Sequence, residues 1–527
     1  MTELFHGTWW DLHKKKTYDQ LKVGRYTRMF PEGAKFNGTD LQRLAEKMTS
    51  TQERTPTPED KRDPEEDPEI TAAYTYVGQF TDHDLTFDPA SRLREALTDD
   101  ELEVLADFRT PRFDLDNLYG RGPDDQPYLY GPDGIRLLLG EPMSGNPSDP
   151  EARQVPRGPS GRALIGDPRN DENRIVAQLH AIFLRFHNQV ADYLARPEHL
   201  GKDVSFEVVR QQVRWHYQWM LVTDFLQTVV NDTTYQGVFA DLHNPSPGLP
   251  GLEKGRLRLM PVEFSVAAFR FGHSMIRPQY RLNTTVGRRP IFLPDDGARH
   301  ADDGADLRGF RPIPSDWAID WQFFIAYEGE AEPRTISPAY DPIDRKPQRA
   351  YKIDTSLVSP LGDLPSQIAS HPSMLALRNL QRGNIFKLPS GQEVADALHE
   401  PVIPDDKLVI RRKTARDKDK LEPLAGIAKG FVGRAPLWAY ILAEAQATSW
   451  DWTGSGAFSD GLPLKLGPVG GRLVAGVFAA LLLGDPTSYL RTDLLRGGTP
   501  FTPITDFTRN EKFGLAELIN VALRPTL

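Results

Sequence analysis

A long amphipathic segment, from Asp167 to about Leu194, restricts the fold of this 527-residue chain more than any other feature. Aspartate is a favoured helix N-cap, and the proline that follows it suits a first turn, where its missing N–H is not needed. Apolar side chains then recur at the spacing of one helix face, namely Ile175, Val176, Leu179, Ile182, Phe183, Phe186, Val190 and Tyr193. The segment therefore predicts one long helix with a buried face.

Several other stretches show helical periodicity. We predict helices over Ile70–Leu85, Phe206–Val229, Val262–Ile276 and Pro436–Thr448, and a buried helix over the apolar run Leu473–Leu483. That run is too short to span a bilayer. Strand signals are sparse and short, so we expect a mainly α fold: a single large helical domain with few short strands.

Three stretches rich in proline, glycine and charged residues interrupt these patterns. Proline and glycine break regular structure, and charged side chains keep a segment in solvent. Each stretch is therefore predicted to be an irregular connection: Thr51–Pro68, Asn283–Asp316 and Pro401–Pro423.

Composition excludes several classes of protein. The chain has no cysteine, which rules out a disulfide, a thiolate nucleophile and a cysteine-ligated metal site. Its formal net charge is −10, from 73 acidic and 63 basic residues, which argues against nucleic acid and an anionic membrane surface as partners. The segment Met1–Gly7 lacks the apolar core of a signal peptide. We expect no membrane span, and a protein that is cytoplasmic or exported by an unconventional route.

The first chemical cluster is Gly-Gln-Phe-Thr-Asp-His-Asp-Leu-Thr, which begins at Gly78. On a helix, Gln79, Asp82 and His83 share one face, while Asp84 points to the side. An imidazole titrates near neutral pH and can take up and return a proton in one turnover. Taken alone, the cluster fits a catalytic site, a group of metal ligands or a solvated helix end.

Two further clusters carry charged and aromatic side chains. In the segment that begins at Gly166, Arg169 and Glu172 lie one turn apart, which fits either a shared cavity or a surface ion pair. Near the middle of the chain, Gly272 precedes His273 in an apolar helical pattern. The missing side chain beside this histidine would let a flat group approach, although a lone histidine there also fits a core position.

The fourth cluster, Ala376–Asn384, carries Asn379 and Arg382 one turn apart. An asparagine oxygen can orient an imidazole by accepting its ring N–H, and an arginine can pair with a carboxylate. The same pattern also fits a polar helix end.

In chain order, these clusters resemble the motifs of the animal-type haem peroxidases, the peroxidase–cyclooxygenase superfamily. They read Gly-Gln-x-x-Asp-His-Asp, Gly-Asp-x-Arg-x-x-Glu, Phe-Arg-Phe-Gly-His and Leu-x-Asn-x-Gln-Arg. Two shorter segments, Gly24–Pro31 and Pro436–Trp438, resemble bacterial members. The resemblance implies a helical haem peroxidase domain over residues 70–490. Residues 1–69 would form an N-terminal arm packed on it, and residues 491–527 a C-terminal extension.

The resemblance implies a role for each matching position. His83 would be the distal histidine, which moves the proton of hydrogen peroxide, with Arg169 stabilising the charge of the breaking O–O bond. Gln79 would line the same pocket. His273 would be the proximal ligand of the haem iron.

The remaining positions would hold the haem. Asn379 would accept the N–H of the proximal histidine, Arg382 would bind a haem propionate and Arg270 would lie near the haem. Asp82 and Glu172 match the two carboxylates that form ester bonds to haem methyl groups in several members, so the cofactor is either haem b or ester-linked haem. The residue after the glutamate is Asn173 rather than methionine, which predicts no sulfonium bond.

The resemblance also implies calcium. Its ligands would be Asp84, the hydroxyl and carbonyl oxygens of Thr110, the carbonyl of Arg112, and the carboxylates of Asp114 and Asp116, since a hard cation needs several oxygens. The family often has serine at the last position, so its carboxylate should strengthen binding. The alternative is a plain acidic turn.

The resulting hypothesis is a haem peroxidase that reduces hydrogen peroxide and oxidises a small organic donor, a halide or thiocyanate. Fatty-acid dioxygenases of the superfamily carry a radical-forming tyrosine three residues before the proximal histidine, where this chain has Arg270. A haem-binding sensor or scaffold without turnover, and a helical protein without haem, remain alternatives. We expect structural roles for His180, His187 and His216.

Overall fold

In the computed structural model, the described residues are 26–49, 65–86, 109–252, 259–293, 306–325, 347–369, 371–414, 417–447, 463–491 and 499–525. Within them we number ten α-helices of seven or more residues. In chain order, α1 to α10 are Gly38–Met48, Ala73–Leu85, Arg174–Leu194, Phe206–Met220, Asp232–Phe239, Leu375–Ile385, Gly391–Ala397, Leu437–Ala447, Pro468–Gly484 and Leu515–Ala522.

Strands are few and short. In chain order, β1 to β8 are Tyr26–Thr27, Glu66–Thr71, Met260–Pro261, Gln279–Tyr280, Arg289–Pro290, Arg349–Tyr351, Val409–Thr414 and Asp417–Pro423. They form four two-stranded sheets: β1 with β3 in parallel, and β2 with β6, β4 with β5 and β7 with β8 antiparallel. The prediction of a mainly α fold with few short strands is confirmed.

The predicted helix over residues 167–194 is in fact two elements. Asp167 accepts the backbone N–H of Arg169 at 2.8 Å and caps a short 3₁₀ turn, Pro168–Asp171. A second cap follows at once, because the Asn173 side chain accepts from the N–H groups of Ile175 and Val176, and α3 begins only after it. The prediction of one continuous helix was wrong, and the break turns the residues between the two caps away from the helix face.

The start of the second predicted helix was also wrong. Residues 70–71 belong to β2, and α2 begins at Ala73. The buried Asp67 side chain accepts the N–H groups of Glu69 and Ile70 at 2.9 Å, which satisfies these donors outside a helix.

The other helical predictions hold, with local changes of helix type. Residues 206–229 are helical throughout, but Leu221–Leu226 is a π-helix. The segment predicted over residues 262–276 is a π-helix, Glu263–Ala267, and then a 3₁₀ helix, Ala268–His273. The helix predicted at Pro436 is α8, and the apolar run at Leu473 lies inside α9.

The predicted irregular connections fare less well. The stretch 401–423 contains the β7–β8 hairpin. Pairing of the two strands satisfies backbone N–H and C=O groups that were expected to be hydrogen-bonded to water. Most of 51–68 lies outside the described residues, and its end belongs to β2. The stretch 283–316 contains β5 and is otherwise irregular where it is described.

The core is built around α3, whose apolar face is buried. On α2, the ring of Phe80 stacks on that of Phe183 of α3, with centroids 4.4 Å apart, and Tyr217 of α4 packs edge-on against both. This packing fixes α2 against the middle of α3. At the N-terminal end, the carboxylate of the buried Glu263 accepts the backbone N–H of Met29 and Phe30. The division of the chain at residues 70 and 490 stays a prediction.

No helix in the described ranges combines the length and the apolar character needed to cross a lipid bilayer.

Candidate active site

A cavity of about 410 Å³ lies between α2, the turn at residues 168–171 and the helical segment that ends at His273. This volume falls within the range of about 300–1,000 Å³ of sites that enclose small molecules. Seven of the residues predicted to act in catalysis or haem binding line the cavity: Gln79, Asp82, His83, Arg169, Glu172, Arg270 and His273. We call α2 with residues 167–173 the distal wall, and residues 263–273 with α6 the proximal wall.

The distal wall holds His83 in a defined protonation state. Its Nδ1 lies 2.8 Å from Asn170 Oδ1, and the Nδ2 of the same asparagine lies 3.0 Å from His180 Nδ1. In this amide orientation the oxygen accepts from His83, so the ring carries its proton on Nδ1 and presents an unprotonated Nε2. Burial, together with the nearby Arg169 charge, lowers the pKa of His83 to about 3, so the ring is neutral at neutral pH.

The sequence prediction missed Asn170 and gave His180 only a structural role. Asn170 is buried, and it lies in the break between the two helix caps, where it reaches both rings. The available signal was its place between Arg169 and Glu172, two positions already assigned to the cavity.

Glu172 and Gln79 form a second part of the distal wall. Gln79 Nε2 donates to Glu172 Oε1, and the amide oxygen of Gln79 accepts from Asn173 Nδ2 at 3.0 Å. The same glutamate oxygen lies 3.6 Å from His83 Nε2. Burial raises the pKa of Glu172 to about 7, against the opposing charge of Arg169. Asn173, at the position where a methionine would form a third haem link, therefore fixes the orientation of Gln79.

Arg169 is fastened on several sides. Its Nη2 donates to Asp167 Oδ2 at 2.8 Å, to His83 O at 3.1 Å and to Thr86 O at 2.5 Å. Burial alone would raise the pKa of Asp167, but the Arg169 and Arg109 guanidinium groups hold it well below its usual range. The arginine is thus kept beside His83 by a permanently charged carboxylate and by backbone carbonyls at the end of α2.

Asp82 lies on the cavity side of α2. Its carboxylate accepts a hydrogen bond from Thr86 Oγ1 at 3.2 Å. Burial raises the pKa of Asp82, and the charges of Arg270 and Arg169 act against that increase. These two arginines come from opposite walls, so the carboxylate lies between them.

The proximal wall presents His273 at the end of a 3₁₀ helix. Its Nδ1 lies 2.8 Å from Asn379 Nδ2, so the two residues meet as expected but with the amide nitrogen, not the oxygen, facing the ring. Rotating the amide by 180° exchanges the two atoms at little steric cost. That orientation lets Asn379 accept from Nδ1–H and leaves Nε2 available to a metal. Burial lowers the pKa of His273 to about 3, and Arg270 adds to this effect.

The arginines near the proximal wall differ in position. Arg270 donates to Ser265 O at 3.0 Å, and its own carbonyl accepts from Trp438 Nε1 at 3.1 Å, which joins the segment at Pro436 to the cavity. Arg378 lines the cavity, whereas Arg382 does not. Arg382 lies one turn further along α6, with its guanidinium over the Phe386 ring. Burial lowers the pKa of Arg270, the charge of Asp82 opposes this, and the charge of Arg382 adds to the decrease.

A buried acidic cluster lies on the other side of α2. Ligand oxygens of Asp84, Asp114 and Asp116 all lie within 4.8 Å of one another. Leu115 adopts a left-handed backbone with φ 58°, which brings the aspartates on either side of it to the same group. Neither carboxylate oxygen of Asp84 accepts a well-aligned hydrogen bond from the described residues. Burial raises the pKa of Asp84, and the two other carboxylates raise it further.

The loop before this cluster carries Thr110 and Arg112, the other two residues predicted as ligands. Thr110 Oγ1 donates to Asp114 Oδ2 at 2.6 Å, and the Thr110 carbonyl accepts the backbone N–H of Arg112 at 2.7 Å. Three buried carboxylates this close repel one another strongly, and a divalent cation among them would relieve the repulsion.

Comparison with known proteins gives one family. The sequence pattern described as "Animal haem peroxidase" matches residues 105–295, which include Arg169 and His273 and begin after His83. Two human relatives are a "Probable oxidoreductase PXDNL", 27% identical over 40% of this chain and 15% of that protein, and thyroid peroxidase, 25% identical over 56% and 31%. The chain therefore spans less than a third of either relative.

Solved structures support the same fold. Peroxidase A of Dictyostelium discoideum superposes with a TM-score of 0.52 at 16% identity, over 95% of this chain and 92% of the other. A fatty acid alpha-dioxygenase of Arabidopsis thaliana gives 0.50 at 13% identity, over 97% and 83%. The fold is therefore common to proteins with different named activities, and the choice between activities depends on the cavity residues.

Proposed function

Since this chain belongs to the peroxidase–cyclooxygenase superfamily, we propose that it is a haem-dependent peroxidase that reduces hydrogen peroxide and oxidises small donors. The observation that carries the proposal is a pair of neutral histidines on the two walls of one cavity, the buried His83 and the partly buried His273. A charged arginine beside the first histidine completes a site that can move a proton and stabilise a developing negative charge.

The cavity suits a flat prosthetic group. Gly272 lines it, and a Cβ at this position would meet nothing within 4 Å, so open space lies directly beside His273. His273 would ligate the haem iron through Nε2, with Asn379 on the other ring nitrogen. Asp82 and Glu172, which line the cavity on the distal wall, would be the residues that form ester bonds to it. The haem, when bound, would supply the redox chemistry of peroxide cleavage and donor oxidation.

The residues of the distal wall move the proton. His83 Nε2 accepts a proton from hydrogen peroxide and returns it to the departing oxygen, because Asn170 keeps the ring proton on Nδ1 throughout. The low pKa makes the neutral ring a weak base for the first transfer and makes the protonated ring a strong acid for the second. Arg169 stabilises the negative charge that builds on the oxygen, and Asp167 keeps the guanidinium in place.

The propionates of the haem need cations at the cavity edge. Arg378 lines the cavity, and Arg382 follows it one turn later on α6. We assign both to the propionates, with Arg382, the position expected from the family motif, behind Arg378.

The acidic cluster is proposed to bind calcium through Asp84, Asp114, Asp116, Thr110 and the carbonyl of Arg112. The two buried oxygens of Asp84, without well-aligned donors, support a cation rather than a plain acidic turn. Asp84 directly follows His83, so the ion would stiffen the helix end that carries the distal histidine.

The donor is proposed to be a small organic molecule, a halide or thiocyanate. A neutral asparagine behind the proximal histidine, in place of a carboxylate, makes the ring less electron-rich and so favours a high iron potential. Part of the cavity lining is apolar, including Leu361, Leu364 and Ile368, which also suits organic donors.

Two alternatives fit less well. A dioxygenase of this superfamily needs a phenol three residues before the proximal histidine, and an arginine at position 270 cannot form a phenoxyl radical. A haem-binding scaffold needs no proton-moving pair, yet His83 and Arg169 are both held in position.

The test is to reconstitute the protein with haem and to record its absorption spectrum and its peroxide-dependent oxidation of guaiacol, bromide, iodide and thiocyanate. Extraction with acid and ketone shows whether the haem is covalently bound. His83→Ala should keep the haem but slow the reaction with peroxide by roughly 10²–10⁴-fold, and the exposed His199→Ala should behave as the wild type. A protein that binds no haem, or an unaffected His83→Ala variant, would contradict the proposal.

A further inference from the structure

We propose that Arg109 is a positioning residue that couples the cation cluster to Arg169 in the active-site cavity. The sequence prediction gave this arginine no role, and the inference rests on the proposed function above. Arg109 belongs neither to the cavity lining nor to the predicted calcium ligands, but its side chain lies between the two sites.

The contacts form one buried chain of charges. Arg109 Nη1 lies 3.4 Å from Asp116 Oδ1 of the cluster, while its Nε donates to Asp167 Oδ2 at 3.0 Å and its Nη2 donates to the same oxygen. Asp167 in turn accepts from the backbone N–H of Arg169 at 2.8 Å and from its Nη2, also at 2.8 Å. One carboxylate is therefore shared by two guanidinium groups, and one of these groups also contacts the cluster.

The backbones of the two regions are in direct contact as well. A Cβ added at Gly166 would lie 2.5 Å from Asp116 O and 2.6 Å from Asn117 O, so only glycine permits this approach. Asn117 Nδ2 donates to Phe80 O at 2.9 Å, which ties the same loop to α2. Because these contacts are close-packed, a movement of Asp116 should be transmitted to Asp167 rather than absorbed by loose packing.

Charge gives the coupling its direction. Arg109 is only 11% exposed, and although burial opposes it, Asp116 and Asp167 raise the pKa of Arg109, so it is always a cation. A divalent ion in the cluster would compete with Arg109 for the carboxylate of Asp116. Ion binding would therefore shift the Arg109 side chain toward Asp167 and so change the hydrogen bonds between Asp167 and Arg169. The extra carboxylate of Asp116 should thus strengthen calcium binding less than its charge alone suggests, because Arg109 already offsets it.

The first test uses the apoprotein and calcium alone, measured by calorimetric titration. Arg109→Gln removes a competing cation, so calcium should bind more tightly, by roughly tenfold. A purely structural role for Arg109 predicts the opposite, a weaker site. Arg121→Gln, which removes an exposed arginine paired with Asp125, is the matched control and should leave the calcium affinity unchanged.

The second test measures coupling. The Kd of cyanide for the haem-reconstituted protein is read from the Soret shift, with calcium and with a chelator, because an anion bound in the cavity senses His83 and Arg169. The ratio of the two values should differ from one by about fivefold or more in the wild type. It should approach one in Arg109→Gln and be partly restored in Arg109→Lys, which keeps the charge without the forked geometry.

The outcomes separate the two claims. A wild type that binds neither haem nor calcium contradicts the proposed function. A wild type that binds both, but whose cyanide Kd ignores calcium, overturns the coupling alone, as does an Arg109→Gln variant with unchanged calcium affinity and an unchanged ratio. If Arg109→Gln does not fold, Arg109→Lys still tests the coupling, because it keeps the charge but loses the forked contact with both carboxylates, and its cyanide ratio should lie between one and the wild-type value.

Discussion

The two walls of the cavity hold their histidines in different ways. On the distal wall, His83, Arg169 and Glu172 each contact several neighbouring groups, so that a chain of hydrogen bonds runs from α2 to α3. On the proximal wall, the described residues give His273 one side-chain hydrogen bond, to Asn379. The surrounding segment is a π-helix followed by a 3₁₀ helix, packed by phenylalanine rings.

Charge does not separate the walls, because burial lowers the pKa of both histidines to about 3. The difference lies in the asparagine behind each ring. Asn170 lies between two imidazole nitrogens, Nδ1 of His83 and Nδ1 of His180, at 2.8 and 3.0 Å. Asn379 instead receives Arg270 Nη1 on its oxygen at the long distance of 3.4 Å, so its amide can turn. The distal wall is thus organised to move protons, and the proximal wall to accept a metal.

The largest expected effect comes from comparing two single substitutions, one of the histidine on each wall. His273→Ala should release the haem, with affinity reduced roughly 100-fold or more, because the wall offers the iron no other ligand among its described residues. Added imidazole should restore the Soret band by entering the space of the lost ring. His83→Ala should retain the haem. The measurement is the haem-to-protein ratio after gel filtration, and equal haem loss from both variants would remove the distinction between the walls.

A variant of the acidic cluster tests whether a cation stabilises the distal wall, since Asp84 of the cluster belongs to α2. Asp84→Asn should weaken calcium binding by roughly 100-fold, because one of three carboxylate ligands becomes neutral. Without calcium the same variant should melt at a higher temperature than the wild type, since it relieves the repulsion among buried carboxylates. Thermal unfolding with calcium and with a chelator measures both effects. A variant less stable than the wild type in chelator would argue against the repulsion.

A smaller effect should follow from the asparagines. Asn170→Ala should slow the reaction with peroxide by roughly 10–100-fold at unchanged haem content, because the His83 tautomer is no longer fixed. Asn379→Ala should leave that step within a few-fold and instead shift the reduction potential of the iron. Stopped-flow rates and a redox titration separate the two. A slower peroxide step in both variants would show that the walls are not independent.

The sequence predicted the helical core well, because apolar periodicity decides which face of a helix is buried. Three predicted segments are helical: the periodic apolar residues that begin at Ile175, the segment that begins at Pro436 and the apolar run that begins at Leu473. Where two local signals competed, the prediction was wrong. Asp167 and Asn173 are both good helix caps six residues apart, and only the packing of the structure shows that α3 starts at the second.

The site divides along a similar line. Residues carried by a motif, such as His83 and His273, reach one cavity. The residues that orient them were not predicted, because their partners are distant in sequence: Asn170 lies 87 positions from His83, and Arg109 lies 58 positions from Asp167. No local spacing rule contains such pairs. The β7–β8 hairpin was not predicted for a similar reason: its charged composition is typical of a loop, and only the pairing of the two strands shows otherwise.

The smallest expected effect comes from His187, a buried histidine on neither wall. Its Nδ1 lies 3.0 Å from the Tyr119 hydroxyl and its Nε2 lies 2.8 Å from Ile135 O, so the neutral ring is satisfied on both sides. Burial lowers the pKa of His187 to about 4, below the value of about 6.5 in the unfolded chain. The native state therefore binds fewer protons, and the stabilisation present above pH 6.5 is lost as the pH falls toward 4.

At pH 5 this loss amounts to about 2 kcal/mol, since each pKa unit is worth about 1.4 kcal/mol. His187→Gln can accept and donate in the same places without titrating. Its free energy of unfolding, measured with urea at pH 7 and pH 5, should fall by about that much less than that of the wild type. Parallel curves would mean that His187 is charged in the folded protein. Burial would then be too weak a reason for the neutral state assigned to His83, and the proton-accepting role of the distal wall would need a different basis.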